Sequence, residues 1–178
     1  MKLHTSQLNS ERKNLRAGDR LFLSGTIYTA RDAAHQRLLS LLNDGKEFPF
    51  TLNGAVIYYA GPTPAQQGMA VGSCGPTTAY RMDAFSPALL DAGLAAMIAK
   101  GPRNTEVLDA IVRNKACYFA ATGGAGALIA QCIKTAEVIA FEDLGTESVK
   151  RLTVENMPLI VAIDSKGNNL YMQKGRAN

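Results

Sequence analysis

Leu94-Ala95-Ala96-Met97-Ile98-Ala99-Lys100-Gly101-Pro102, followed by Thr105 to Asn114 and then by Ala116-Cys117-Tyr118-Phe119-Ala120-Ala121, is the stretch on which the fold turns. The first run is short, apolar and unbroken, and a Gly-Pro turn follows it, so it predicts a strand over 94–99 with Lys100 at its end. The run 105–114 predicts a helix and 116–121 a second strand. Past the glycine-rich turn Thr122-Gly123-Gly124-Ala125-Gly126-Ala127, a helix over 125–133 and a strand over 137–141 extend the alternation. Strand, helix and strand in succession imply an α/β layer with some parallel pairing.

Upstream, Ser86-Pro87 reads as an N-cap followed by an N1 proline, opening a helix that ends at Gly93. Ala55-Val56-Ile57-Tyr58-Tyr59 predicts a strand running into Gly61-Pro62, and Met69 to Gly72 a second short one. Between Arg31 and Leu42 the apolar residues recur at helical spacing until Asn43-Asp44-Gly45 stops them, which puts Arg31 and His35 on one face at the helix start. Arg20 to Ser24 predicts a short buried strand ended by Gly25. The segment 1–16 is polar and reads as an extended or loosely docked arm. Downstream, 159–163 and 169–172 flank Lys166-Gly167-Asn168 as a closing hairpin.

The chain has 178 residues, of which 47% are hydrophobic and 19% charged, as expected of one globular domain, 1–178, with a single core. Its formal charge is +4, but the 19 Lys and Arg are scattered without a basic run or interleaved aromatics, which argues against a nucleic-acid partner. A mild positive balance suits a cleft that receives a small dianion as well as it suits an ordinary surface. There is no run of eighteen apolar residues and no signal-peptide pattern, so the expectation is a cytoplasmic protein without a membrane partner. Cys74, Cys117 and Cys132 are odd in number and lack Cys-x-x-Cys spacing, which argues for free buried thiols over disulfides or a self-sufficient metal site.

Chemistry concentrates in Ser73-Cys74-Gly75-Pro76-Thr77-Thr78-Ala79-Tyr80-Arg81-Met82-Asp83. Gly-Pro fixes an unusual backbone, amides and threonine hydroxyls can donate to carboxylate oxygens, and an arginine shortly afterwards can clamp a carboxylate bidentately. Joined in order with Gly25, Arg31-Asp32-Ala33-Ala34-His35, Tyr59-Ala60-Gly61-Pro62, Ile98-Ala99-Lys100-Gly101 and the 122–127 turn, this segment resembles the C-terminal domain, or separate β subunit, of the class I fumarase and L-tartrate dehydratase family of iron–sulfur hydro-lyases. Phe141 to Gly145 and Ile163 to Asn169 add to the likeness, which runs from about Gly18 to about Tyr171.

The resemblance implies a swivelling β/β/α domain with a mixed sheet, which periodicity alone does not select. It also implies a β component that interconverts fumarate and L-malate, or that dehydrates L-tartrate to oxaloacetate, in a homodimer of β or an α2β2 assembly. The 4Fe-4S cluster would be held by a partner α subunit, with no metal ligand on this chain. Among single residues, Arg31, Arg81, Lys100 and Thr78 would bind the dicarboxylate, and Thr77 takes the position thought to act on the C3 proton of malate. On spacing alone, Arg31 pairs with Asp32 or a neighbouring helix, Arg81 with Asp83, and Lys100 is a solvated strand-end lysine. His35 reads either as a second acid/base or as a support that orients Arg31 or Asp32. A threonine hydroxyl is a very weak acid, so Thr77 needs an activating environment or a carboxylate from the partner to serve as base. A non-catalytic dicarboxylate-binding module is the alternative from another class. The 123–127 turn is not a complete dinucleotide fingerprint and reads as close helix–strand packing.

Overall fold

The computed structural model describes residues 1–65 and 67–172. Among these residues, seven strands form one mixed sheet: β1 (Lys2–His4), β2 (Arg20–Thr29), β3 (Val56–Tyr58), β4 (Ala96–Ala99), β5 (Cys117–Ala120), β6 (Ile133–Ala140) and β7 (Val149–Ile163). The helices are α1 (Leu8–Glu11), α2 (Asp32–Asn43), α3 (Ser86–Asp91), α4 (Thr105–Asn114) and α5 (Gly126–Cys132). The strand order is β1-β2-β3-β4-β5-β7-β6, and β2 pairs with β7 as well, so β2, β3, β4, β5 and β7 close into a five-stranded barrel.

Within that barrel, β2 to β5 run parallel, while β7 lies antiparallel to β2, β5 and β6. The long β7 is the seam. Its first half pairs with β6 through Val149 to Val154, its end pairs with β5 through Ile160 to Ile163, and β2 lines its other edge.

Side chains alternate strictly between two cores. Val56, Tyr58, Ala96, Ile98, Cys117 and Phe119 enter the barrel interior with Leu21, Leu23, Ile27, Leu152, Val154 and Val161. Their neighbours Ile57, Tyr59, Met97, Ala99 and Tyr118 face the other way, against Leu38 of α2, Leu89 and Leu90 of α3, and Val107, Ala110 and Ile111 of α4. Burial on both faces is why these strands read as continuous apolar runs.

The expected α/β domain with a mixed sheet is therefore present, with local differences. The segment 1–16 is no loose arm: β1 pairs parallel with β2, and Leu3, Leu8 and Leu15 are buried in the barrel core. β2 does not stop at Gly25 but continues to Thr29 through a bulge between Leu23 and Gly25. The stretch 69–72 is not a strand; Thr63 N–H donates to Ser73 O at 2.9 Å and Gly72 N–H to Thr63 O at 3.1 Å, tying loop to loop. Ser86 is the first residue of α3 rather than its cap, its hydroxyl turned back to Met82 O at 2.7 Å. The closing hairpin survives as a single antiparallel bridge, Ile163 to Asn169.

Candidate functional site

The C-terminal ends of β2, β3 and β4 lie side by side, the end of a parallel layer where ligand-binding groups gather. After β3 the chain leaves through Tyr59 to Pro62, then returns so that residues 77–79 wedge between the ends of β3 and β4. Thr77 N–H donates to Tyr59 O at 2.6 Å, Lys100 N–H to Thr77 O at 3.3 Å, and Ala79 N–H to Lys100 O at 2.8 Å. This short parallel bridge places Thr77, Thr78 and Lys100 together by backbone hydrogen bonds alone. The turn Ala79–Met82 follows and carries Arg81 outward. β2 delivers Arg31, at the N-cap position of α2.

On the far wall, the start of α5 presses against the loop 73–75. Cys74 N–H donates to Gly126 O at 3.1 Å, and a Cβ on Gly126 would stand 2.5 Å from Ser73 Oγ and 3.1 Å from Gly75 N. Glycine at 126 is what lets the glycine-rich turn close the cleft, in keeping with the packing role expected of it.

The result is an open cleft of about 630 Å³ lined by Arg31, Ser73, Gly75, Pro76, Thr77, Thr78, Arg81, Lys100, Gly124, Gly126 and Ala127. Five of the six sequence candidates meet here. The lining carries three cations, three hydroxyls and no carboxylate or imidazole, so it is built to receive an anion. A smaller cavity of about 350 Å³, lined mainly by Pro62, Pro64, alanines and valines, has Lys150 as its single charged group and lacks such convergence.

Arg81 lacks the partner that spacing suggested for it, whereas Arg31 takes the second of its two alternatives, a neighbouring helix, since Glu147 ends the 3-10 helix Glu142–Glu147. Arg81 Nε donates to Asp32 Oδ1 at 2.9 Å, and Arg31 Nε stands 2.8 Å from Glu147 Oε1. Asp83 instead belongs to Arg103, whose guanidinium is wholly buried: Nε donates to Asp83 Oδ1 at 2.6 Å and a terminal nitrogen to Ser86 Oγ at 2.6 Å, between the rings of Tyr59 and Tyr118. Both cleft pairs use the Nε edge. Among the described residues, no hydrogen bond engages the terminal nitrogens of Arg31 or Arg81, and Lys100 makes no ion pair. Those groups are free for a ligand, and a guanidinium matches a carboxylate bidentately.

His35 does not reach the cleft. It is fully buried behind Arg31, with Nδ1 3.2 Å from Arg31 O and its ring edge-on to Tyr59 at 4.8 Å. Desolvation lowers its pKa to about 4, against a smaller opposing effect of the bond to Arg31 O. A neutral, enclosed imidazole supports the first turn of α2 and does not line the cleft, which favours the supporting role over direct proton transfer.

The sequence does not signal the pairing of Asp32 with Arg81 or of Glu147 with Arg31, and it gives Ser73, at the head of the 73–83 segment, no separate role. Glu147 is 116 positions from Arg31, and no local pattern signals a pair at that separation.

The described residues do not fit a 4Fe-4S cluster. Burial pushes the thiols of Cys74 and Cys117 up to about 12, both lie in the barrel core, and no group of three or more His, Cys, Asp or Glu stands together. No helix among the described residues is long and apolar enough to cross a membrane.

Comparison with known proteins matches the fumarase C-terminus family model to residues 1–174. Over 156 residues the chain is 41% identical to the anaerobic class I fumarate hydratase of Escherichia coli and 42% identical to the mitochondrial fumarate hydratase 1 of Leishmania major, covering 86% of this chain each time. It spans only 28% of the length of either of those proteins. Over 165 residues it is 38% identical to the putative L(+)-tartrate dehydratase subunit beta of Methanocaldococcus jannaschii, covering 89% of this chain and 85% of that one.

Proposed function

We propose that this chain, which belongs to the fumarase C-terminus family, is the dicarboxylate-clamping component of a hydro-lyase that interconverts fumarate and L-malate. The observation that carries the reading is the convergence of Arg31, Arg81, Lys100, Thr77 and Thr78 on one cleft, with the arginines' terminal nitrogens unengaged. Two arginines and a lysine match the two carboxylates of a C4 dianion. Thr78 donates to one of them. The Thr77 hydroxyl lies beside the carbon that gains or loses a proton, its backbone pinned by Tyr59 O.

A threonine hydroxyl and a cationic lining do not by themselves supply a base matched to neutral pH. The cleft therefore needs a second wall that brings a proton acceptor, and the subunit name of the Methanocaldococcus relative supports a companion α subunit in that place. The same subunit would hold the 4Fe-4S cluster, which in such hydro-lyases supplies a Lewis acid for the departing hydroxyl. The part of this chain is to bind and orient the dianion and to keep Thr77 at the reacting carbon.

Tartrate is the second reading, supported by the 85% coverage of a chain named for that substrate. Its second hydroxyl would have to face groups on the partner's wall, because the described lining offers nothing to choose between the substrates.

The test is turnover of L-malate and of L-tartrate by the chain co-expressed anaerobically with its partner, followed by fumarate absorbance and oxaloacetate formation, beside an Arg81→Ala variant. Fumarate formation that requires both chains is expected, with kcat/KM roughly a hundredfold lower in the variant, as loss of about 3 kcal/mol of charged hydrogen bonding implies. Turnover of tartrate alone would move the substrate. No turnover of either by a cluster-loaded complex that still binds dicarboxylate would leave the non-catalytic module.

A further inference from the structure

Arg31, which lines the cleft, sits in a slot between two residues that do not line it. One wall is Gly61, where a Cβ would stand 3.0 Å from Arg31 Cζ and 3.1 Å from its Nε. The other is Glu147, which does two things at once. Its Oε1 makes the 2.8 Å ion pair with Arg31 Nε, and its Oε2 accepts from Ala33 N–H at 3.1 Å. α2 has no capping side chain of its own, so this carboxylate, 114 positions from Ala33, caps the helix from a distant segment.

The pair differs in kind from its neighbour. Arg81 Nε is hydrogen-bonded to Asp32, whereas Arg31 Nε is buried with no aligned hydrogen bond despite its closeness to Glu147. Arg31 is thus aligned by charge and by the shape of the slot. The segment that presents Glu147 is itself tied down: Lys150 Nζ donates to Gly145 O at 3.0 Å, Thr146 O at 3.3 Å and Ser148 Oγ at 2.6 Å. Lys150 N–H donates to Thr29 Oγ1 at 3.1 Å, which registers the segment against the end of β2 two residues before Arg31.

We propose that Glu147 is the positioning residue of the substrate clamp: its charge holds the Arg31 guanidinium by the Nε edge so that the terminal nitrogens meet a substrate carboxylate. This rests on the reading of the cleft as a dicarboxylate site. Glu147→Gln is the clean perturbation, because the amide oxygen keeps the cap on Ala33 while the charge is lost.

In the assembled enzyme, Glu147→Gln is expected to raise KM for L-malate about fivefold with kcat changed less than about twofold, as loss of uniform binding from a partly exposed pair requires. In an Arg31→Ala background the same substitution is expected to change nothing further. An unchanged KM, or an equal rise in the Arg31→Ala background, would overturn the proposal. A second readout uses this chain without turnover. The Arg31 Nε–H signal, assigned with Arg31→Lys, should exchange with solvent more slowly in the wild type than in Glu147→Gln. Equal exchange overturns the proposal whatever the substrate. If the wild-type complex turns over neither L-malate nor L-tartrate, the substrate reading fails, and the exchange measurement decides on Glu147 by itself.

Discussion

Lowering the pH should unfold this protein partly through one imidazole. His35 is enclosed by Tyr59 and Phe85, with ring centroids 4.8 and 5.9 Å from its own, and its Nε2 has no hydrogen-bond partner among the described residues. Desolvation is the largest influence on it. The bond to Arg31 O and the charge of Asp32 oppose protonation loss, Arg103 adds to it, and the folded-state pKa falls from 6.5 to about 4. The folded pKa is depressed, so the unfolded chain takes up the proton first. His35 therefore leaves stability untouched above about pH 7 and removes it as pH falls from 6.5 towards 4. At pH 5, ~1.5 pH units below the unfolded value, the loss is about 2 kcal/mol. Urea unfolding of the wild type and of His35→Phe, which keeps a ring in the pocket, isolates this contribution. The carboxylates of Asp91, Asp143 and Asp164, all held below their usual range, lose stability in both proteins alike and cancel. Between pH 7.5 and 5 the stability difference should move by about 2 kcal/mol in favour of the variant. A constant difference would refute the enclosed, neutral imidazole.

Two further outcomes follow from the packing around the clamp. Gly61→Ala puts a methyl 3.0 Å from Arg31 Cζ and 3.1 Å from Thr146 O, so the guanidinium must retreat by a few tenths of an ångström; KM for the dicarboxylate should rise roughly tenfold, and a KM equal to wild type would show the slot to be loose. Arg103→Met leaves the Asp83 carboxylate buried without its cation and should cost about 3–5 kcal/mol in denaturant unfolding, with much of that recovered by adding Asp83→Asn, which keeps the acceptor for Asn104 N–H.

The parallel layer was legible because its strands are apolar on both faces and its helices carry their own signals. α4 spans 105–114 in the reading and in the structure, with Asn104 Oδ1 capping Val107 N–H at 2.9 Å and Lys115 left-handed at the other end. The amino-terminal segment was not legible. Leu3, Leu8 and Leu15 are single apolar residues among polar ones, so no stripe betrays that each enters the barrel. Of β7 only the end, 159–163, is expected from the sequence, although the strand runs from Val149 through Asn156-Met157-Pro158. There Asn156 adopts a positive φ of 51° and donates to Ser24 Oγ at 3.0 Å, opposite the bulge in β2.

In the cleft, Arg31, Thr77, Thr78, Arg81 and Lys100 could be named because the family pattern marks them. Their ion partners could not. Arg81 reaches Asp32 across 49 positions, and Arg31 reaches Glu147 across a still longer interval; a contact of that kind is set by how β2, β3 and β7 close the barrel. His35 was legible as a helix-face neighbour of Arg31, but its burial was not, since Tyr59 and Phe85 come from other elements.

The three ion pairs around the site differ in what they can do, and burial decides it. Arg103–Asp83 has side chains 0% and 8% exposed, so neither charge can be solvated and the pair must stay formed. That permanence is useful: Asp83 closes the turn that carries Arg81, Arg103 follows the strand end that carries Lys100, and Tyr118 Oη holds Gly101 O at 2.8 Å between them. The pair therefore fixes the spacing of two clamp cations from behind. Arg31–Glu147 and Arg81–Asp32 are 30% and 22%, and 48% and 31%, exposed. Water screens such pairs to at most about 1 kcal/mol each, so a substrate carboxylate arriving at the terminal nitrogens need not overcome a strong native contact. A deeply buried pair at the same arginines would have preorganised them equally well, but would have opposed any shift toward the ligand. On the proposed dicarboxylate reading, rigid charge behind the cleft and exchangeable charge within it would let the clamp be set in advance and still close on a dianion.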